Sequence, residues 1–310
     1  MNENITKEYI SCNFCGSNDY KNYDSSNNWN IVKCSHCGHI YTNPCPKPED
    51  LPKYYAEEYF KDERHIDQYY NADGTVKEEN ADFSNRVTMI EQHVQKRGKI
   101  LEIGAARGNF LKVMEKRGWE VYGIEISKDA VQLSKQINDI ELFCGTIEEF
   151  NSNEKFDVIC MYQTLEHVPN PEVVIRRSYE MLTKNGIILI EVPNIKGHDI
   201  KSNEEKRRLI YDLPRHLNHF SPNILSRELK KKGFKVTKVD RYYPEFVLNF
   251  FKKRSQNKTN TTTNNNKAPE SKSLQDNIPL AKSNTSLKGK IINLLPLFFP
   301  GWRFTIVGQK

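Results

Sequence analysis

From Lys99 onward, short apolar runs alternate with stretches in which apolar residues recur every three or four positions. The runs at 100–104, 121–126, 141–144, 156–162, 187–192, 236–239 and 304–307 have the length of strands. The stretches at about 109–117, 128–137, 171–183 and 222–232 have helical spacing. This alternation predicts βαβ units and a mostly parallel α/β sheet, whose ligand sits beyond the carboxyl ends of the strands. No apolar run exceeds about ten residues, well short of the roughly 20 needed to cross a bilayer.

The residues just after the first two strands carry the clearest chemistry. Glu102-Ile103-Gly104-Ala105-Ala106-Arg107-Gly108 follows the first, and its small residues let a ligand approach the backbone where a helix begins. Glu125 ends the second, placed to accept hydrogen bonds from two ribose hydroxyls. A glycine-rich loop alone is weak evidence, whereas loop and acid together in a βαβ unit predict nucleoside binding. The dinucleotide fingerprint G-x-G-x-x-G is not met, because the loop runs Glu-x-Gly-x-Ala-x-Gly.

That frame resembles the first motif of the class I S-adenosylmethionine (SAM)-dependent methyltransferases. The likeness spans about residues 83–245 and resumes at the final strand. Gly145-Thr146-Ile147-Glu148 resembles the adenine-binding stretch. Phe156-Asp157-Val158-Ile159, with the following Thr164-Leu165-Glu166-His167-Val168-Pro169, resembles the fourth motif and its loop. The fold implied is a Rossmann-like seven-stranded methyltransferase sheet. By the same resemblance Gly104, Ala106 and Gly108 would line the methionine and ribose, Glu125 would bind the ribose, and Ile147 with Thr146 or Glu148 would flank adenine. Gln163 would lie near the sulfonium. Glu102 would either anchor the loop through backbone N–H groups or meet the ligand amine. Ala106 departs from the family's middle glycine but is still small.

Ahead of this domain, Cys12, Cys15, Cys34 and Cys37 form the pattern C-x2-C-x18-C-x2-C, each second cysteine being followed by glycine. Four thiolates leave no open coordination position, which predicts a structural zinc ribbon, with a disulfide or redox pair as the alternative. His36 and His39 stand beside the second knuckle. Cys45, Cys144 and Cys160 read as ordinary buried residues. The expected organisation is a ribbon over residues 1–48, a Tyr-rich bridging segment over 49–82 and a methyltransferase domain over 83–254 and 287–310. The polar Thr/Asn-rich stretch 255–286, with five apolar residues in 32, reads as a disordered insertion. The tyrosines of the bridge read as packing for a bridging helix or as aromatic walls over a ligand.

Methyl transfer to a hydroxyl or activated carbon benefits from a base, commonly histidine. His167 follows the fourth strand, and His216 and His219 follow the fifth. His167 and His216 are the candidate bases, and His219 reads as structural, capping the helix that starts near Ser221-Pro222. A ribbon ahead of this fold with a P-x-H-x-x-H-F-S-like segment resembles sugar-modifying methyltransferases, including C-methyltransferases of nucleotide-linked deoxysugars. Those carry a Glu-His pair where this chain has Arg215-His216. The Leu-Glu-His-Val loop resembles O-methyltransferases of the ubiquinone-biosynthesis type. O-methylation of a sugar or another small hydroxylated acceptor is therefore the expected reaction. Sugar C-methylation, RNA methylation and a non-catalytic cofactor-binding or zinc-mediated interaction module are the alternatives.

The chain is 310 residues long with a formal net charge of +6, a balance that first suggests nucleic acid or a membrane surface. The charge is uneven. Residues 229–310 hold 17 Lys plus Arg against four Asp plus Glu, so the remainder is acidic and the nucleic-acid reading weakens. Apolar clusters beside basic residues at 246–254 and 288–299 suggest a lid or core helix, or else a membrane-interface contact with a lipid-linked acceptor. The polar start, without a secretory signal, gives a cytoplasmic expectation, peripheral to the inner membrane surface if those clusters reach it.

Overall fold

The computed structural model describes residues 6–26, 28–50, 71, 75–77, 80–197, 204–242 and 302–310. The expectations for the bridging tyrosines at 54–60 and 69–70, the insertion at 255–286 and the apolar clusters at 246–254 and 288–299 fall outside these residues.

The central layer is a seven-stranded sheet. It comprises β6 (Lys99–Ile103), β7 (Glu120–Glu125), β8 (Phe143–Cys144), β9 (Phe156–Tyr162), β10 (Leu182–Pro193), β12 (Lys235–Tyr242) and β13 (Arg303–Gln309). Their order is β12-β13-β10-β9-β6-β7-β8, and only β13 runs antiparallel to its neighbours. This is the Rossmann-like methyltransferase sheet that the motif order implied.

Successive side chains point to opposite faces, so the apolar runs are buried on both. Ile100, Val158 and Leu189 meet one layer, formed by α1 (Ala81–Glu91) and α2 (Asn109–Lys116) through Val87, Ile90, Phe110 and Met114. Leu101, Ile159, Ile188 and Ile306 meet the other, formed by α4 (Pro171–Met181) and α6 (Pro222–Lys231) through Ile175, Leu225 and Leu229. Helix α1 starts where Asn80 accepts the backbone N–H groups of Asp82 and Phe83.

Three elements differ from the sequence pattern at their ends. Helix α3 (Lys128–Leu133), capped by Ser127, opens into a wider turn over Ser134–Asn138 rather than staying α-helical to 137. Helix α4 stops at Met181 because Leu182 is extended and pairs with Phe156. The strand expected at 141–144 shrinks to Phe143–Cys144 at the sheet edge, which leaves Cys144 exposed instead of buried. Cys45 and Cys160 are buried as expected.

The N-terminal module is not self-contained. Its strands β2 (Tyr20–Ser26), β3 (Trp29–Cys34) and β4 (Ile40–Thr42) form an antiparallel sheet. A fourth strand, β11 (Asn218–His219), comes from the segment between α5 (Glu204–Tyr211) and α6 and pairs with β4. Ile31 and Ile40 pack with Ile195, Ile210 and Tyr211 of the second domain. Asp24 accepts from Tyr211 at 2.7 Å and pairs with Arg207. A separate pair, β1 (Lys7–Glu8) with β5 (Cys45–Pro46), closes the module's base.

Candidate functional site

At the carboxyl end of β6 the chain turns through Gly104 at φ 75°, Ala106 at φ 48° and Gly108 at φ 70°. Gly104 is required by space as well as by φ, since a Cβ there would lie 2.4 Å from Thr164 Oγ1. The space a Cβ would fill at Gly108 is taken by Ser134 and Ile140, so this glycine seats α2 against the following turn rather than facing a cleft.

Glu125 shapes the loop. Its Oε2 accepts Ala106 N–H and its Oε1 accepts Ser127 N–H, both at 2.9 Å. Each oxygen keeps acceptor capacity for a diol. Burial raises the Glu125 pKa, and the backbone N–H groups of Ser127 and Ala106 oppose that shift.

Glu102 does not anchor the loop. Gly104 and Ala105 N–H go to Ile124 O, and Ala106 N–H goes to Glu125. Glu102 Oε2 is buried with no hydrogen-bond partner among the described residues. Burial pushes its pKa up to about 8, against the pull of the Arg86 guanidinium. Gln163, at the end of β9 with φ 54°, likewise has a buried amide nitrogen without a partner among the described residues. An acceptor and a donor left unmatched at the ends of β6 and β9 suit a ligand carrying both an ammonium and a carboxylate. In the stretch after β8, Thr146 is exposed and bonded to Glu149, whereas Ile147 is 1% exposed and sits in the core. Of this stretch, the side chains open to solvent are thus those of Thr146 and Glu148, not that of Ile147.

A second cluster lies after β9. His167 and His216 meet edge to face, with ring centroids 4.6 Å apart. Nδ1–H of His167 donates to Arg215 O at 3.0 Å, and Nδ1–H of His216 donates to Ile210 O at 2.9 Å. Burial holds both rings below the ordinary histidine range. Proximity to His216 adds to the shift at His167, and Asp212 opposes it at His216. Both are therefore neutral near pH 7. Glu166, quoted in the loop motif but given no role there, is 1% exposed beside them. Asp212 Oδ2 stands 3.6 Å from His216 Nε2 while paired to Arg215.

The N-terminal module grips this cluster. Thr42 Oγ1 donates to His216 O at 2.7 Å and meets His219 Nε2 at 3.1 Å, and Thr42 N–H donates to the carbonyl of Leu217, whose own N–H donates to Glu166 O. His219 is structural as expected, but as a β11 residue bonded to Thr42 rather than as a helix cap. His39 is fully buried, stacks on Tyr41 and bonds Asn218 at 3.1 Å. Nothing in the spacing of the chain reveals Thr42 or Arg86 as site neighbours, because each arrives from a distant segment, whereas Glu166 adjoins His167 and only its burial was hidden.

Cys12, Cys15, Cys34 and Cys37 converge, their sulfur atoms all within 4.8 Å of one another. The Cys12–Cys37 and Cys15–Cys34 separations are 3.5 Å, far too long for a disulfide. They are close to the roughly 3.8 Å between thiolates around a tetrahedral ion at about 2.3 Å. Gly16 at φ 71° and Gly38 at φ 74° turn each knuckle. The donor set fits a metal ion.

The methyltransferase-domain family profile matches residues 49–239. Among curated proteins, the ubiquinone biosynthesis O-methyltransferase of Glaesserella parasuis serovar 5 is 32% identical over 107 residues, covering 31% of this chain and 45% of that protein. The protein of the same name from Bradyrhizobium diazoefficiens is 28% identical over 101 residues, covering 31% of this chain and 40% of that protein. The chain thus spans less than half the length of these two relatives. Among solved structures, a SAM-dependent methyltransferase described as a possible histamine N-methyltransferase from Thermotoga maritima has a TM-score of 0.51 at 18% identity, over 84% of this chain and 98% of that one. With the profile covering more than half of its residues, the chain belongs to the methyltransferase-domain family and carries a class I SAM-dependent methyltransferase fold.

Proposed function

We propose that the protein transfers the methyl group of SAM to a hydroxyl of a small acceptor, in the first place a nucleotide- or lipid-linked sugar. The observation that carries the cofactor is Glu125, held at the end of β7 by Ala106 N–H and Ser127 N–H with acceptor capacity left for a ribose diol. Glu102 and Gln163 would take the ammonium and carboxylate of the methionine part, Thr146 would stand beside adenine, and Gly104 and Ala106 would leave room for the backbone to approach. SAM brings an activated sulfonium methyl. The protein's part is to hold the acceptor oxygen in line with that methyl, about 3 Å away, and to take up its proton. His167 and His216, neutral and beside the loop that follows β9, are the groups available for the proton.

The four-cysteine cluster would hold one structural Zn2+, which keeps the ribbon folded and so keeps β4 in register with β11. The printed names of the curated relatives support a second acceptor, a hydroxylated precursor of quinone biosynthesis. RNA fits less well, because residues 1–228, which contain both clusters, hold 29 Lys plus Arg against 36 Asp plus Glu. Incubation with SAM labelled in the methyl group, over panels of nucleotide sugars and of hydroxylated quinone precursors, tests the reading. Label in a sugar hydroxyl supports it, label in the quinone panel moves the acceptor, and label in carbon or RNA overturns it. A His167→Ala protein that binds SAM and transfers at full rate removes His167 as base.

A further inference from the structure

Glu166, His167 and His216 form a three-residue cluster whose design a simple proton relay does not explain. Glu166 is 1% exposed, and neither carboxyl oxygen has a hydrogen-bond partner among the described residues. An ionised carboxylate in that position is strongly unfavourable unless a positive charge meets it. The two histidines present matching chemistry. Each Nδ1 faces a backbone carbonyl, Arg215 O or Ile210 O. A carbonyl only accepts, so each Nδ1 carries the proton and each Nε2 carries the lone pair. Fixing a ring by Nδ1–H to a carbonyl is how metal-binding imidazoles are oriented. His167 Nε2 lies 4.0 Å from Glu166 Oε1. One ligand atom from each of the three residues falls within 4.8 Å of the other two. Two nitrogens at about 2.1 Å from one tetrahedral ion stand about 3.4 Å apart, so small side-chain rotations close the set.

We propose that Glu166, His167 and His216 bind a divalent first-row transition-metal ion, separate from the four-cysteine cluster. Two imidazoles and a carboxylate suit zinc or its neighbours and leave a coordination position open. Of the three side chains His167 is the most exposed, at 19%, against 1% for Glu166 and 7% for His216. Asp212, paired with Arg215, stays at the rim as a partner rather than a ligand.

The site's consequence for chemistry rests on the methyl-transfer reading above, although its existence does not. A hydroxyl bound at the open position is made more acidic by the ion. Its O–H proton passes to bulk water, because both Nε2 atoms are occupied as ligands. The oxygen then forms a bond to the sulfonium methyl carbon as the carbon–sulfur bond breaks, with that electron pair going to sulfur. The products are a methyl ether and a neutral thioether. His167 and His216 would then serve as ligands in place of bases.

The test is titration of the full, chelator-stripped chain with Co2+, following absorption and bound metal. The expected result is two equivalents, only one of which shows the thiolate-to-cobalt charge-transfer band of the four-cysteine cluster. His216→Ala and the near-isosteric Glu166→Gln should each lose the second equivalent while keeping the charge-transfer band and SAM binding. A single equivalent in the unmodified chain, or a second equivalent that persists in both variants, overturns the site. Two equivalents that depend on Glu166 and His216, with no methyl transfer to any acceptor, support the metal site and reject the reaction instead.

Discussion

Between Glu102 and Ser127 the chain makes one strand, one helix and a second strand, and the bonds made by the Gly104, Ala105 and Ala106 N–H groups stay within that unit. Ala106 reaches Glu125 across only 19 residues. The histidine cluster is assembled differently. His167 is oriented by Arg215, 48 residues away, and the segment carrying His216 is held by Thr42, 174 residues away. One end of the site is thus largely local, whereas the other leans on the N-terminal ribbon, whose proposed zinc would supply much of its folding energy. The comparison teaches that the Glu125 loop and the histidine cluster have separate structural supports, so damage to one need not reach the other.

Removing a thiolate strikes the second support hardest. Structural zinc contributes on the order of 10 kcal/mol to folding such modules. Cys34→Ser should therefore unfold residues 6–50 and release β11, which limited proteolysis and zinc content would report. The first support should show itself through pH. Glu102 has a folded pKa of about 8, raised by burial among Arg86, Glu125 and Cys160, against an ordinary value of 4.5. A carboxyl whose pKa is raised on folding stabilises the fold below the unfolded value and loses that contribution as pH rises through the folded one. Stability of the cofactor-free chain should fall between about pH 4.5 and pH 8, and Glu102→Gln should flatten that slope in urea titrations.

Glu125→Ala removes charge-assisted bonds of about 1.5–3 kcal/mol each, so SAM affinity should drop at least about tenfold in calorimetry, with the histidine cluster undisturbed. Thr42→Val leaves His216 O without its donor, at about 1–3 kcal/mol. Acceptor turnover should fall while SAM affinity holds; equal loss of both would break the separation. The smallest change is Ala106→Gly. Alanine at φ 48° is strained by about 1–2 kcal/mol, partly offset by the greater unfolded entropy of glycine. A gain of about 0.5–1 kcal/mol in denaturant stability should follow.

The same contrast explains what could be read from the chain. The strands and the Gly104–Glu125 loop announce themselves through apolar period and short spacing, and β9 lies where the pattern put it, Phe156–Tyr162. The spacing of the four ribbon cysteines likewise brings their sulfur atoms together. What was not legible depends on distant packing. Strand β11 is two residues long and has no periodicity to detect, yet it joins the ribbon to the second domain. Glu166 is given no role by the sequence pattern, and only the fold shows it 1% exposed. Glu102 reads in the sequence either as the loop anchor or as a partner of the ligand amine; in the fold Glu125 takes Ala106 N–H, and the Glu102 carboxyl is buried within the field of Arg86.

The most direct test of separate supports is a calorimetric SAM titration of the unmodified chain and of Cys34→Ser, each followed by a labelled-methyl transfer assay. The account predicts one SAM equivalent in both proteins, with transfer only in the unmodified chain. No SAM binding by the unmodified chain, or its loss together with the ribbon, would contradict it.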